Sequence, residues 1–231
     1  MPYRRLPNTD NARIKALKTA IRKCSNTNFN EVVVSMKTLY RARLVIEKFE
    51  RICDIYQQTF EIQIKANKSF QSQIKNIRMY LSHFIQVLHL SVIREEIKSE
   101  NLSMYGLEES NMQVPDLTSN EMLLDWGNKI IKGEDKRIAN GGVPIYNPTI
   151  AKVKVMYSIF KDGYYTQQIH QKATSRTQSD VVKFRSEIDE IILQLWQEVE
   201  DANVNLPTQE RIEKNKEYGI IYYYRKGETI E

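Results

Sequence analysis

Glycine and proline are missing from a long N-terminal stretch of this chain. None of its 8 glycines and 6 prolines lies between Asn8 and Tyr105. These two residues disrupt a helix interior more strongly than any others, because glycine adds backbone entropy and proline removes a hydrogen-bond donor. The stretch therefore favours long uninterrupted helices, and we expect a mainly α fold, a helical bundle with long helices.

The apolar residues of this stretch recur at helical spacing. Asn8, Thr9 and Asp10 are good N-cap residues, and a short amphipathic helix follows them. From Glu31 onward apolar residues recur every three or four positions, interrupted only by polar residues at 65–69. Two antiparallel helices turning at 65–69 and one very long helix both fit this pattern. We favour the hairpin, because a compact bundle buries both apolar stripes within the chain.

Turn-forming residues are concentrated between positions 99 and 148. Within this region the sequence Thr-Ser-Asn-Glu at 118–121 is a capping box that predicts a helix ending near Gly141. The next eight residues, Gly-Gly-Val-Pro-Ile-Tyr-Asn-Pro, predict a shaped loop, with Asn147 and Pro148 as cap and first-turn residue of another helix. We expect this loop to be an interface, with contact residues Gly141, Gly142, Pro144, Tyr146 and Pro148.

A β-strand is predicted near the end of the sequence. After Pro207 a charged linker leads to Tyr-Gly-Ile-Ile-Tyr-Tyr-Tyr-Arg at 218–225, which is rich in β-forming residues. The unpaired N–H and C=O groups of a single strand need a partner. We expect a strand of a neighbouring chain, or residues 143–146 of this one, to pair with it. The inter-subunit strand would comprise Ile220, Ile221, Tyr222, Tyr223 and Tyr224.

Composition indicates an ordinary globular protein without a membrane-spanning segment. Of its 231 residues 41% are hydrophobic and 27% charged, and no apolar run approaches the roughly 20 residues that cross a bilayer. Two cysteines are too few for a disulfide framework or a zinc site. We expect a helical bundle domain over residues 1–206, with a basic N-terminal arm, and a C-terminal extension over residues 207–231.

The charges of the chain are unevenly distributed. Residues 1–30 contain seven basic side chains and one acidic side chain, whereas residues 99–231 contain 16 basic and 21 acidic ones. The basic end could contact phosphates or an acidic protein surface, although a solvated helix face fits equally well. In a repeated assembly it could also meet the acidic part of a neighbour. The candidate contact residues are Arg4, Arg5, Arg13, Lys15, Lys18, Arg22 and Lys23.

Residues that could perform catalysis do not converge in the sequence. His83 and His89 fall on nearly opposite faces of one predicted helix, and His170 has no visible partner. No glycine-rich phosphate loop is present, and the acidic clusters are typical of solvated faces. We therefore expect no enzyme activity, no catalytic or metal site, no cofactor and no small-molecule substrate. An unrecognised catalytic site around residues 141–148 is the less favoured reading.

Four segments together are similar to a known group of proteins. They are MPYRRLPNTDNARIKALKTA at the start, YLSHFIQVLH at 80–89, GGVPIYNPTIAKVK at 141–154 and YGIIYYYRKGE near the end. They resemble an uncharacterised helical family of Bacteroidetes genomes, and a component of the crAss-like phages that infect these bacteria. The virions of these phages carry helical ring proteins below the portal, so the resemblance implies a virion protein, without implying any catalytic residue.

These observations lead to one functional hypothesis and one alternative. We expect a structural assembly protein, a subunit of a homo-oligomeric ring in a bacteriophage portal or tail connector. It would assemble in the host cytoplasm, contact other virion proteins and touch DNA without sequence specificity. The alternative is an accessory protein of the bacterial cytoplasm that binds nucleic acid through its basic N-terminal helix.

Overall fold

Helices make up most of the protein, so the predicted mainly α fold is confirmed. The computed structural model describes residues 3–28 and 31–224. In chain order the elements are β1 (Tyr3–Arg4), α1 (Asp10–Asn26), α2 (Met36–Ile93), a 3₁₀ helix (Ser99–Tyr105), α3 (Asn120–Ala139), α4 (Ile150–Ala202), α5 (Thr208–Glu217) and β2 (Tyr222–Tyr223).

Helices α1 and α3 begin close to the residues predicted. The Thr9 hydroxyl accepts a hydrogen bond from the backbone N–H of Ala12 at 3.2 Å, which caps α1. The Ser119 hydroxyl accepts one from Met122 at 3.1 Å, one position after the predicted cap of α3. Each oxygen satisfies a donor that the first helical turn leaves unpaired.

Helix α2 is a single helix of 58 residues, so the hairpin that we favoured is wrong. Residues 65–69 read Lys-Ala-Asn-Lys-Ser and include no helix breaker, and the four polar side chains among them are exposed. A polar interruption of the apolar stripe thus changes what the helix buries without ending the helix. The helix starts where the Ser35 hydroxyl accepts a hydrogen bond from the Thr38 N–H at 3.2 Å.

The start of α4 differs from the prediction by two residues. Asn147 and Pro148 do not cap this helix, because they form the turn between Tyr146 and Thr149, which are joined by an isolated antiparallel bridge. The Thr149 hydroxyl instead accepts a hydrogen bond from the Lys152 N–H at 3.3 Å. From Ile150 the helix continues for 53 residues.

The segment predicted as a charged linker is helix α5. Apolar residues do not recur along the sequence of this helix, so periodicity does not indicate a helix here. Ile212 is its one buried hydrophobic residue, and Asn215 is buried with it. A helix of 10 residues is marginal on its own, so α5 depends on its contacts with the rest of the first unit.

The C-terminal strand pairs with the N-terminal arm. In the antiparallel register Tyr3 lies opposite Tyr223 and Arg4 opposite Tyr222, and the Arg5 N–H donates to the Ile221 carbonyl at 2.7 Å. The expected pairing with residues 143–146 is therefore wrong. The argument for a neighbouring chain also loses its basis, because β2 has a partner within the chain. Arg225 lies outside the described residues.

The chain forms two compact units, and neither boundary coincides with residue 206. The first unit takes the described residues up to Phe60 and from Thr174 on. Its core contains Tyr218 and Ile220, so the predicted C-terminal extension contributes to this core. The other core residues are Val34 and residues of α1, α2 and α4, which include Leu17, Ala20, Ala42, Phe49, Ile188, Ile191, Leu195, Trp196 and Val199.

The second unit comprises Glu61–Ala173. Its core joins residues of α2, the 3₁₀ helix, α3 and α4 with Ile145 from the predicted loop. Two glycines of α3 make room for aromatic rings. A Cβ atom added at Gly127 would lie 2.4 Å from the Tyr157 ring, and one at Gly133 would lie 2.6 Å from the Tyr105 ring.

Candidate interface site

The loop between α3 and α4 is anchored by two oppositely charged side chains that are almost completely buried. Glu134 is 0% exposed and Arg137 is 4% exposed. They lie three residues apart near the end of α3, which places them on one face of the helix. Because an unpaired buried charge is costly, each needs close partners. Sequence analysis did not single out either residue.

Tyr105 joins these two side chains in one hydrogen-bonded network. The Arg137 guanidinium donates to the two carboxylate oxygens of Glu134 at 2.8 Å and 3.0 Å. Its Nε also donates to the Tyr105 hydroxyl at 2.8 Å, and that hydroxyl donates to Glu134. Each charged group thus has both its counter-ion and a neutral hydrogen-bond partner, as buried ion pairs require.

The same two side chains hold the backbone of the loop. Arg137 Nη2 donates to the Val143 carbonyl at 2.9 Å, and the Ile145 N–H donates to Glu134 Oε1 at 3.2 Å. Two backbone groups of the loop are therefore satisfied by charged side chains, and charge-assisted hydrogen bonds are stronger than neutral ones. The ion pair fixes the conformation of residues 143–145.

Burial sets the protonation states in this network. Burial raises the pKa of the Tyr105 phenol far above its usual value, and the hydrogen bond to Glu134 raises it further. For Arg137 burial alone would lower the pKa, but the hydrogen bonds to Glu134 and Tyr105 raise it above the ordinary value. The phenol therefore stays neutral as a donor, and the guanidinium stays charged.

A Schellman motif leads the chain from α3 into the loop. The Gly142 N–H donates to the Arg137 carbonyl at 3.0 Å and the Gly141 N–H donates to the Ile138 carbonyl at 2.9 Å. Gly141 has a φ of +87°, in the left-handed region that glycine adopts at little cost. A Cβ atom at Gly142 would lie 2.7 Å from the Arg137 side chain, so this position also requires glycine.

The anchored loop presents apolar side chains to solvent. Val143 is 70% exposed and Tyr146 is 79% exposed, whereas Ile145 between them is buried in the core of the second unit. The loop borders a groove of about 820 Å³ whose other wall includes Arg94, Lys98 and Asn101. The arrangement suits a contact with another macromolecule, because its exposed groups are large, apolar and held in place.

The predicted contact residues of the loop are brought together in the structure. Gly141, Gly142, Pro144 and Tyr146 line the groove, and Pro148 is buried at the base of the loop. Sequence analysis missed Val143, and it missed the residues that anchor the loop. A local signal for the anchor existed at Gly133, because a glycine inside a helix indicates close packing against that face.

Most of the predicted basic contacts are engaged within the first unit. Arg4 pairs with Glu200 at 3.1 Å, Arg13 with Asp189 at 2.8 Å and Lys23 with Glu217 at 2.5 Å, and Lys18 pairs with Glu50. The remaining three, Arg5, Lys15 and Arg22, are exposed and make no salt bridge within the described part of the chain. The uneven charge distribution is thus partly neutralised inside the chain.

The histidines and acidic residues of the described part of the chain are dispersed. Among them no group of three or more His, Cys, Asp and Glu side chains could hold a metal ion. His89 is buried, which lowers its pKa and favours the neutral ring, whereas His83 is exposed. No helix in the described part of the chain is long and apolar enough to cross a membrane.

Comparisons with known proteins do not assign the chain to a family. No protein-family model matches it, and neither a curated protein sequence nor a solved structure is similar to it. The fold and the anchored loop therefore define a mainly α protein with a candidate interface, and the function rests on the physical argument.

Proposed function

We propose that this chain is a non-enzymatic structural protein, a subunit of an oligomeric ring whose members contact one another through the anchored loop. One observation carries the proposal: Val143 and Tyr146 are exposed on a loop that a buried ion pair holds in one conformation. Exposed aromatic residues of this kind are the usual anchors of protein interfaces.

The buried ion pair supports this proposal, because a gain in the stability of the fold is a poor explanation for burying two charges. Removing two charges from water costs several kcal/mol for each ion, and well-packed apolar residues often stabilise a core as well or better. The pair between Glu134 and Arg137 has a second effect, which is to order residues 143–145. A loop that is ordered before binding loses less entropy when it binds, and so binds more tightly.

The sequence resemblance supports the ring in which we place the subunit. The setting follows from the resemblance of four segments to a component of crAss-like phages, whose virions carry helical rings below the portal. The proposed setting is therefore a portal or tail connector that is assembled in the host cytoplasm, with other virion proteins as further partners. Most N-terminal basic residues pair within the chain, so the loop is the proposed contact, and the basic helix is not.

Sedimentation velocity tests the proposal. We expect the wild-type protein to sediment as a species larger than the 27.2 kDa chain. The double variant Val143→Ser/Tyr146→Ser should sediment as the monomer with an unchanged circular dichroism spectrum. Tyr40→Ser is the matched control, because it removes another exposed tyrosine from α2. A wild-type monomer at every concentration, or a double variant that assembles like the wild type, would refute the proposal.

A second candidate function is binding of nucleic acid through the N-terminal helix. The observation that favours it is the exposure of Arg5, Lys15 and Arg22, of which the last two lie seven residues apart on one face of α1. Three free cations support a weak, sequence-independent contact with phosphates.

A further inference from the structure

A second groove lies within the second unit, between residues of α2 and α4. It encloses about 370 Å³. Its apolar floor is formed by Ala66, Phe70 and Ile159, and its polar lining by Gln73, Asp162 and Gln167 together with two hydroxyl groups. No lysine, arginine or histidine is among the lining residues, so its one formal charge is the carboxylate of Asp162.

Two oxygen atoms in this groove lack a hydrogen-bond partner. Oε1 of Gln73 and Oε1 of Gln167 are buried, and no donor contacts either of them within the described residues. Gln167 is only 7% exposed. A buried acceptor without a donor costs about 1–3 kcal/mol, and native proteins rarely leave one unexplained. Both oxygens belong to side chains that line the groove, so a rotation of these side chains toward the groove would let a donor from outside the chain satisfy them.

A glycine in α4 keeps the groove in this form. Gly163 is the one glycine of this helix, and a Cβ atom there would collide with the Gln73 amide and lie 3.1 Å from the Phe70 ring. Glycine in a helix interior costs about 1 kcal/mol relative to alanine. The position of the Gln73 amide over the α4 backbone accounts for that cost.

We propose that this groove binds an alkylammonium group. An ammonium group has three N–H donors for the amide oxygens, and its charge is complementary to the carboxylate of Asp162. The alkyl chain would lie on the floor formed by Phe70 and Ile159. The group belongs either to a free alkylamine or to a lysine side chain of a second copy. This site is separate from the anchored loop, and it stands whether or not the proposed function holds.

Titration with n-butylammonium chloride, followed by nuclear magnetic resonance of the Gly163 backbone amide and the glutamine side-chain amides, tests the site. We expect saturable shifts with butylammonium and no saturable shifts with tetramethylammonium, which has the same charge and no N–H donor. Gln167→Leu should weaken butylammonium binding about tenfold. Gln71→Leu is the matched control, because Gln71 is an exposed glutamine of α2 outside the groove. Gln167→Glu should strengthen binding, which provides a second variant if the leucine disturbs the fold.

Three outcomes would overturn the site: no saturable shift with butylammonium, an equal response to tetramethylammonium, or unchanged affinity in both Gln167 variants. Sedimentation velocity in the presence of butylammonium distinguishes the two sources of the amine. If saturating butylammonium dissociates an assembly, the group is a lysine of a second copy. If the sedimentation coefficient does not change, the group belongs to a free amine. Neither reading depends on the Tyr146 variant, so failure of the site and failure of the proposed function are distinguishable.

Discussion

Two neighbouring acidic residues of α3 have opposite environments. Glu134 is completely buried in the network with Arg137 and Tyr105. The next residue, Asp135, is half exposed and pairs with Lys154 at 2.6 Å. Surface ion pairs contribute little to stability, whereas removing one partner of a buried pair leaves an uncompensated charge in the protein interior.

We therefore predict a large difference between the variants Glu134→Gln and Asp135→Asn. Glu134→Gln should lower the free energy of unfolding by about 3–5 kcal/mol, because Arg137 then remains buried without a counter-ion. Asp135→Asn should lower it by at most about 1 kcal/mol. Urea unfolding of both variants measures the difference.

The Arg137→Met substitution provides the control for this comparison. Made in the Glu134→Gln background, it removes the buried charge and should restore part of the lost stability. Equal stability of the Glu134→Gln and Asp135→Asn variants would mean that the ion pair does not hold the loop.

The cap of α1 could be read from sequence, and that of α3 to within one residue, but this buried pair could not. Thr9 and Ser119 each act through a backbone group only three residues away, so the local sequence indicates where these caps lie. A glutamate three residues before an arginine is equally typical of an exposed helix face. This pair is buried because Tyr105, which lies 28 positions earlier in the chain, packs on Gly133.

At the scale of elements, the existence of those with a strong apolar or β-forming pattern was easier to predict than their partners or ends. Strand β2 was expected near its observed position, but β1 is only two residues long and its partner lies over 200 positions away in the chain. Helix α2 has no turn at 65–69, because polar residues alone do not end a helix. Helix α5 was missed because it has almost no apolar residues to repeat.

The segment before β2 offers a test of its role within the chain. Ile220 is 2% exposed in the core of the first unit, whereas its neighbour Ile221 is 51% exposed. Ile220→Ala should lower the free energy of unfolding by about 2–5 kcal/mol, because it leaves a cavity in that core. Ile221→Ala should change it by less than about 0.5 kcal/mol.

Chemical denaturation of the two alanine variants, at a concentration where the protein is monomeric, separates two roles for this segment. If it served mainly to join subunits, the loss at Ile220 would vanish in the monomer. A destabilised monomer would confirm that the C-terminal segment belongs to the first unit.

At the scale of the whole molecule, the charge asymmetry of the sequence overstates the charge available for binding. Four of the seven N-terminal cations pair with carboxylates of the first unit, three of which come from residues 189–217. Counting charges along the sequence could not reveal these ion pairs, because the paired residues are far apart in the chain. The cations left for phosphate contacts are Arg5, Lys15 and Arg22.

This count limits how strongly salt can affect DNA binding. Each phosphate contact contributes about −0.9 to the slope of log K against log salt concentration for duplex DNA. With three free cations we expect weak binding with a slope no steeper than about −3. A triple substitution of Arg5, Lys15 and Arg22 by Gln should abolish the binding, as measured by fluorescence anisotropy with a labelled duplex over a series of salt concentrations.

Three exposed lysines of α2, Lys65, Lys68 and Lys75, provide the matched control, because their replacement by Gln makes the same change in net charge. This control variant should bind like the wild type. A slope near about −6 would mean that DNA also recruits the paired cations and opens their salt bridges. That result would favour nucleic-acid binding over the structural role, because the chain would then give up intramolecular contacts in order to hold DNA.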